Sequence, residues 1–105
     1  MLSPTKIKNI QRGERNSAAN LPVMFEALGE WSRFRIFKLL AAYQDLCVTD
    51  VANVLGISVP AASQQLKVLE RTGLVRRQRN GQMICYELNR TNPNIRSIIS
   101  MVTKE

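Results

Sequence analysis

Residues 48–75 read VTDVANVLGISVPAASQQLKVLERTGLV, and residues 76–88 continue RRQRNGQMICYEL. The first stretch carries two helix starts and two helix stops. The Thr49 hydroxyl can accept the free backbone N–H groups of an opening turn, and Asp50 suits the positive end of the helix dipole. Val51, Val54 and Leu55 make the apolar side of that short helix. Gly56 ends it, because glycine takes the left-handed conformation cheaply. Ser58 caps a second helix, with Pro60 in the first turn where a missing N–H does no harm. That helix runs to about Thr72, and Gly73 stops it. Residues 74–79 and 82–88 then read as strands around Asn80-Gly81, a strong hairpin signal since both residues tolerate positive φ. Ile84, Tyr86 and Leu88 alternate with Met83, Cys85 and Glu87, so one strand face is core and the other partly open.

Two short helices around a tight turn, followed by a basic hairpin, predict a winged helix-turn-helix. The flanks fit this mainly α fold with a β-hairpin wing. Residues 17–29 predict a helix in which either Asn20 caps a start near Leu21 or Pro22 bends a longer one. Leu21, Met24, Phe25 and Leu28 share a face there. Residues 30–43 predict a second, in which Trp31, Phe34, Phe37 (with Ile36) and Leu40 form a core-facing stripe, with Arg33, Arg35 and Lys38 elsewhere. Residues 92–104 predict a last helix with Ile95, Ile98, Ile99 and Val102 on one side. Residues 1–16 are polar and basic and contain Pro4 and Gly13, which predicts a mostly flexible arm with a short helical piece, leaving 17–105 as the folded domain.

The chain has 105 residues, room for one small core. Its 15 Lys and Arg outnumber 8 acids, and the excess gathers in residues 1–16 and in the hairpin. Positive charge clustered at both places favours nucleic acid or a membrane surface over a uniformly solvated face. No segment is apolar for long enough to span a bilayer, and no apolar signal core opens the chain, so the expected location is the cytoplasm. In that compartment the two cysteines argue against a structural disulfide. The chain has no histidine, no Gly-rich phosphate loop and no recognisable carboxylate pair, so an enzyme is not expected.

The helix after Ser58 carries the functional reading. Ala62, Leu66 and Leu69 share the side that anchors it. The other side shows Pro60, Gln64, Lys67 and Arg71, flanked by Ser63. Its N-terminal half is small and polar, which suits the major groove. Gln64 can pair with adenine, Ser63 can bond a base edge or a phosphate, and Lys67 and Arg71 suit phosphates. Arg76, Arg77, Arg79 and Gln82 surround the hairpin tip, from which arginines can reach a phosphate or a narrow minor groove. The same arginines would also protect strand edges against pairing. A winged-helix module for protein or RNA contacts is the alternative.

Residues 24–89 resemble the arsenic-repressor (ArsR/SmtB) family of winged-helix regulators, most specifically in LCVTDVANVLGIS, ASQQLKVLERTGLV and RNGQMICYEL. The resemblance implies a homodimer built mainly from the first and last helices, repressing from an imperfect palindrome. It implies base contacts from Ser58, Pro60, Ser63 and Gln64. A histidine is common where Gln64 stands, which predicts an altered operator preference. The dimer residues are then Leu21, Met24, Phe25, Ile95, Ile98, Ile99 and Val102, more apolar surface than one small core should need. One metal-sensing subgroup carries ELCVCD where this chain reads DLCVTD. Cys47 matches the first thiolate, but Thr49 replaces the second, and the last helix lacks the acid and histidine pairs of the other metal site. No metal and no cofactor is therefore expected. For Cys47 three readings stand: a buried packing residue, which is preferred, a redox or electrophile sensor, and a metal ligand. Cys85 is read as packing. A small-molecule or redox effector is left open.

Overall fold

The computed structural model describes residues 1–16 and 20–104. In chain order these form α1 (Pro4–Asn16), α2 (Leu21–Leu28), α3 (Trp31–Ala42), β1 (Leu46–Cys47), α4 (Val48–Leu55), α5 (Val59–Arg71), β2 (Val75–Asn80), β3 (Met83–Leu88) and α6 (Pro93–Thr103). The predicted order of helices and hairpin is found, with α1 added before it and β1 inserted between α3 and α4. The segment read as a mostly flexible arm is the 13-residue helix α1, an amphipathic stretch whose Ile7 and Ile10 stay exposed. The part of the next expected helix at residues 17–19 lies outside the described residues. Its continuation, α2, begins at Leu21 with Pro22 in its first turn, although the Asn20 side chain makes no capping bond.

The wing is a three-stranded antiparallel sheet in the order β1-β3-β2. Sequence reading found the hairpin but not β1, which pairs Leu46 with Tyr86 and Cys47 with Cys85. The β2–β3 ladder runs from Val75 opposite Leu88 to Asn80 opposite Met83. Asn80 is therefore the last residue of β2, and the loop is Gly81-Gln82 in place of Asn80-Gly81. Gly81 supplies the positive φ of 63° that this loop needs.

One core joins the elements. Ile36, Phe37 and Leu40 of α3 meet Val51 of α4, Leu66 and Leu69 of α5, Tyr86 and Leu88 of β3 and Ile95 and Ile98 of α6, all at most 3% exposed. Burying such side chains is worth about 1.5–3 kcal/mol each, which is what holds short helices of marginal intrinsic stability. Three expectations fail here. Trp31 is 69% exposed, so the α3 stripe starts at Phe34, against which the Trp31 ring stacks. Val54 is also exposed, leaving Val51 and Ala52 as the buried side of α4. Most of the residues assigned to a dimer face are core. Met24, Ile95, Ile98 and Val102 are buried within the single chain, and Leu21 and Ile99 pack against it; only Phe25 stands half exposed. A small domain has few apolar side chains, and its own core takes those of the first and last helices first.

Arg33, which sequence placed away from the core stripe, is half-buried and fastens three elements. Its Nε donates to the Ala27 carbonyl at 2.8 Å and its Nη1 to Gln65 Oε1 of α5 at 3.0 Å. Glu30 caps α3 by accepting the Arg33 backbone N–H at 2.9 Å. That bond holds the Glu30 carboxyl below its ordinary value of 4.5.

Candidate nucleic-acid interface

The reading helix α5 is set by its caps. Ser58 Oγ accepts the Ala61 N–H at 3.2 Å, and Pro60 occupies the first turn. Gly56 turns the chain between α4 and α5 at φ 69°, a left-handed position where a Cβ is disfavoured. Ala62, Leu66 and Leu69 bury the inner side completely. Pro60, Gln64, Lys67 and Arg71 are exposed on the outer side, and Ser63 is half-buried at its margin.

The cap of α4 differs from expectation. Cys47, not Thr49, holds the N-cap position, and Thr49 lies inside the first turn. The Asp50 carboxylate reaches back to accept the Cys47 backbone N–H at 2.9 Å. A carboxylate three residues into a helix satisfies a free donor and complements the dipole together, so Asp50 does the work assigned to Thr49.

Strand pleating sorts the wing arginines onto two faces. Arg76 lies opposite Glu87 and donates to it at 2.9 Å, and Gln78 donates to the same carboxylate oxygen at 2.6 Å. Arg76 is thus engaged within the sheet. Arg77 and Arg79 point to the other face, opposite Tyr86 and Ile84. Arg77 Nε lies 3.9 Å from Glu70 of α5, and Arg79 Nε donates to the Gly81 carbonyl at 3.4 Å across the tip.

Between wing and helix opens a cleft of about 420 Å³. Ser63 and Lys67 of α5 and Arg77 and Gln82 of the wing line it together, with Tyr86 on its wall. Burial, then the Glu70 carboxylate, push the Tyr86 phenol above its ordinary value of 10.0, against the opposing pull of Arg77. The remaining candidates, Ser58, Pro60, Gln64, Arg71, Arg76 and Arg79, lie outside this cleft. A polar helix face and a cationic strand face around one groove can accept a duplex edge: the helix at base edges, the cations at phosphates.

Sequence reasoning missed what joins the two cysteines. Cys47 and Cys85 are cross-strand partners with Cα atoms 3.7 Å apart, and their sulfurs form a disulfide. Cys85 is buried, as its packing reading has it, but it is bonded to Cys47, which is only half-buried, so Cys47 is not simply a packing residue and the expectation against a structural disulfide is not met. A two-residue strand has no periodicity to read, so only the β1–β3 pairing brings the sulfurs together. Among the described residues no group of three or more His, Cys, Asp or Glu could hold a metal ion.

Comparison with known proteins agrees with this geometry. The family described as bacterial regulatory protein, arsR family, matches residues 32–77. A cadmium resistance transcriptional regulatory protein CadC homolog of Staphylococcus aureus is 30% identical over 84 residues, covering 76% of this chain and 69% of that protein. A transcriptional repressor SmtB homolog of Synechocystis is 37% identical over 73 residues, covering 70% of this chain. The chain spans only 54% of that second protein's length. Among solved structures, the homodimeric winged helix-turn-helix DNA-binding domain of Mb0332 from Mycobacterium bovis, a possible ArsR-family regulator, superposes with a TM-score of 0.71. It is 26% identical, covering 84% of this chain and 81% of that domain. On its fold, its helix-and-wing groove and these matches, the chain belongs to the arsR family of bacterial regulatory proteins, which are transcriptional regulators and not enzymes.

Proposed function

We propose that the chain is a homodimeric, sequence-specific DNA-binding repressor that reads an imperfect palindrome, one half-site per protomer. The observation that carries this reading is the single groove shared by Ser63 and Lys67 of α5 and Arg77 and Gln82 of the wing. Gln64, with Ser58, Pro60 and Ser63, reads base edges from the exposed start of α5. Lys67, Arg71, Arg77 and Arg79 bind phosphates, and Gln82 sits at the wing tip to support them. Arg76 contributes less, because Glu87 already neutralises it.

Dimerisation rests on the apolar groups that the core leaves outside. Val23 and Phe25 of α2 are 52% and 50% exposed, Met101 of α6 is 58% exposed, and α1 adds Ile7 and Ile10. The homodimeric state of the Mb0332 domain supports this assignment. A dimer seated across a palindrome occludes the DNA beneath it, which is the simplest route to repression.

The test is selection and sequencing of the duplexes that the purified protein retains from random DNA. A dimer reading half-sites enriches an imperfect palindrome whose halves are about one helical turn apart, bound at least about 10³-fold over bulk DNA. Retention without sequence enrichment would overturn base reading. A monomer at micromolar concentration would overturn the dimer.

A further inference from the structure

We propose that the Cys47–Cys85 disulfide is a reversible thiol–disulfide link that gates DNA binding, opened at Cys47 by a small thiol; its effect on DNA rests on the reading given above. The chain has two cysteines, and the fold sets them directly opposite each other. Cys47 is also the N-cap of α4, the first helix of the helix-turn-helix, while Cys85 lies in the wing. The link closes a separation of 38 residues. Every candidate DNA contact from Ser58 to Gln82 lies inside that loop. β1 has only two residues to pair with β3, so the covalent bond adds a direct tie between the start of α4 and the wing to a short ladder. DNA-binding proteins ordinarily work where thiols are kept reduced, and the disulfides that do form there are usually transient and catalytic or redox-sensing.

The two sulfurs are not equivalent. Cys85 is 1% exposed, whereas Cys47 is half-buried and lines the cleft beside α5. An incoming thiolate therefore attacks the Cys47 sulfur. A mixed disulfide forms on Cys47, the Cys47–Cys85 bond breaks, and its electron pair leaves on Cys85, which takes a proton from water. Asn80 Nδ2, 3.6 Å from the Cys85 sulfur, can donate to that departing thiolate and couples the event to the wing tip. A second thiolate attacks the small-molecule sulfur of the mixed disulfide. Cys47 leaves as thiolate, and two thiols have become one disulfide while the protein has gained two electrons and two protons. Glutathione disulfide reverses both steps. The linked form holds α4 and the wing in register for DNA; the open form lets them part.

The experiment equilibrates the full chain in glutathione buffers from fully oxidised to fully reduced. Free thiols are trapped by alkylation and mapped by mass spectrometry. Binding to the selected duplex is read by fluorescence anisotropy on the same samples. The expected result is a pair that titrates between the two ends, glutathione trapped on Cys47 and not Cys85, and affinity at least tenfold weaker on reduction. The double variant Cys47→Ala/Cys85→Ala should bind at the weak level in every buffer. A link intact in the most reducing buffer, or absent in the most oxidising one, would overturn the proposal. So would tight binding that is equal in both forms, which leaves DNA reading standing. Failure of both forms to prefer any duplex would overturn DNA reading and the gating with it. The thiol titration needs no DNA and judges the chemistry separately.

Discussion

Reducing the Cys47–Cys85 link should destabilise the fold by an amount that its loop length sets. The bond joins residues 38 apart, and in the unfolded chain it removes the freedom of everything between them. Chain-entropy arithmetic for a loop of that length gives about 4 kcal/mol at 25 °C. A domain this size has a total stability of about 5–15 kcal/mol, so the loss is a large share. In urea, at a slope of about 1–3 kcal/mol per molar, the midpoint should fall by about 1.3–4 M. The assay is a pair of urea melts followed by far-ultraviolet circular dichroism. Oxidised and reduced samples are compared at one protomer concentration, because association would shift both. Cys85→Ala should melt near the reduced wild type and ignore reductant. Coincident melts of the two wild-type forms, each verified by thiol alkylation, would refute the loop-closure argument.

Asp50→Ala should lose about 0.5–2 kcal/mol by removing the carboxylate that holds the Cys47 N–H, whereas Thr49→Ala should stay within about 0.5 kcal/mol; thermal melts of both separate the two caps. Gln64→Ala should lose about 1–3 kcal/mol on the selected duplex and relax specificity, while Arg79→Ala should weaken all sequences alike and reduce the salt slope by about one, both read by titrations at several salt concentrations. Phe25→Asp should give a folded monomer by sedimentation, but deletion of residues 92–105 should unfold the chain, since Ile95, Ile98 and Val102 are core. The Glu30 carboxyl is lower in the folded state than in the unfolded one, so its contribution is present above the unfolded value and is lost as pH falls through the folded value. Glu30→Gln should therefore flatten the acid limb of stability below about pH 4.5.

Local chemistry made much of this protein legible in its sequence. Gly56, Ser58, Pro60 and Gly73 mark helix ends by backbone preferences that do not depend on distant contacts, and α5 begins and ends where they place it. The inner side of α5 followed from spacing alone, since Ala62, Leu66 and Leu69 recur at the helical period. The outer polar face, and with it Gln64 and Lys67, was the complement of that side. Tertiary structure decided the rest, because each remaining feature depends on partners far along the chain. Trp31 matches the α3 stripe in spacing, yet it stays 69% exposed, with only one ring contact, to Phe34, among the described residues. Met24, Ile95 and Val102 look like surplus apolar surface until α2 and α6 close on the same core. Arg76 and Arg77 are adjacent and alike in sequence, but strand pleating gives one to Glu87 and the other to the groove. Cys47 and Cys85 lie far apart along the chain, and two residues of β1 carry no period that could announce their pairing. Only closure of β1 on β3 sets one sulfur against the other, because contact between distant residues is a property of the packed chain and not of either segment alone.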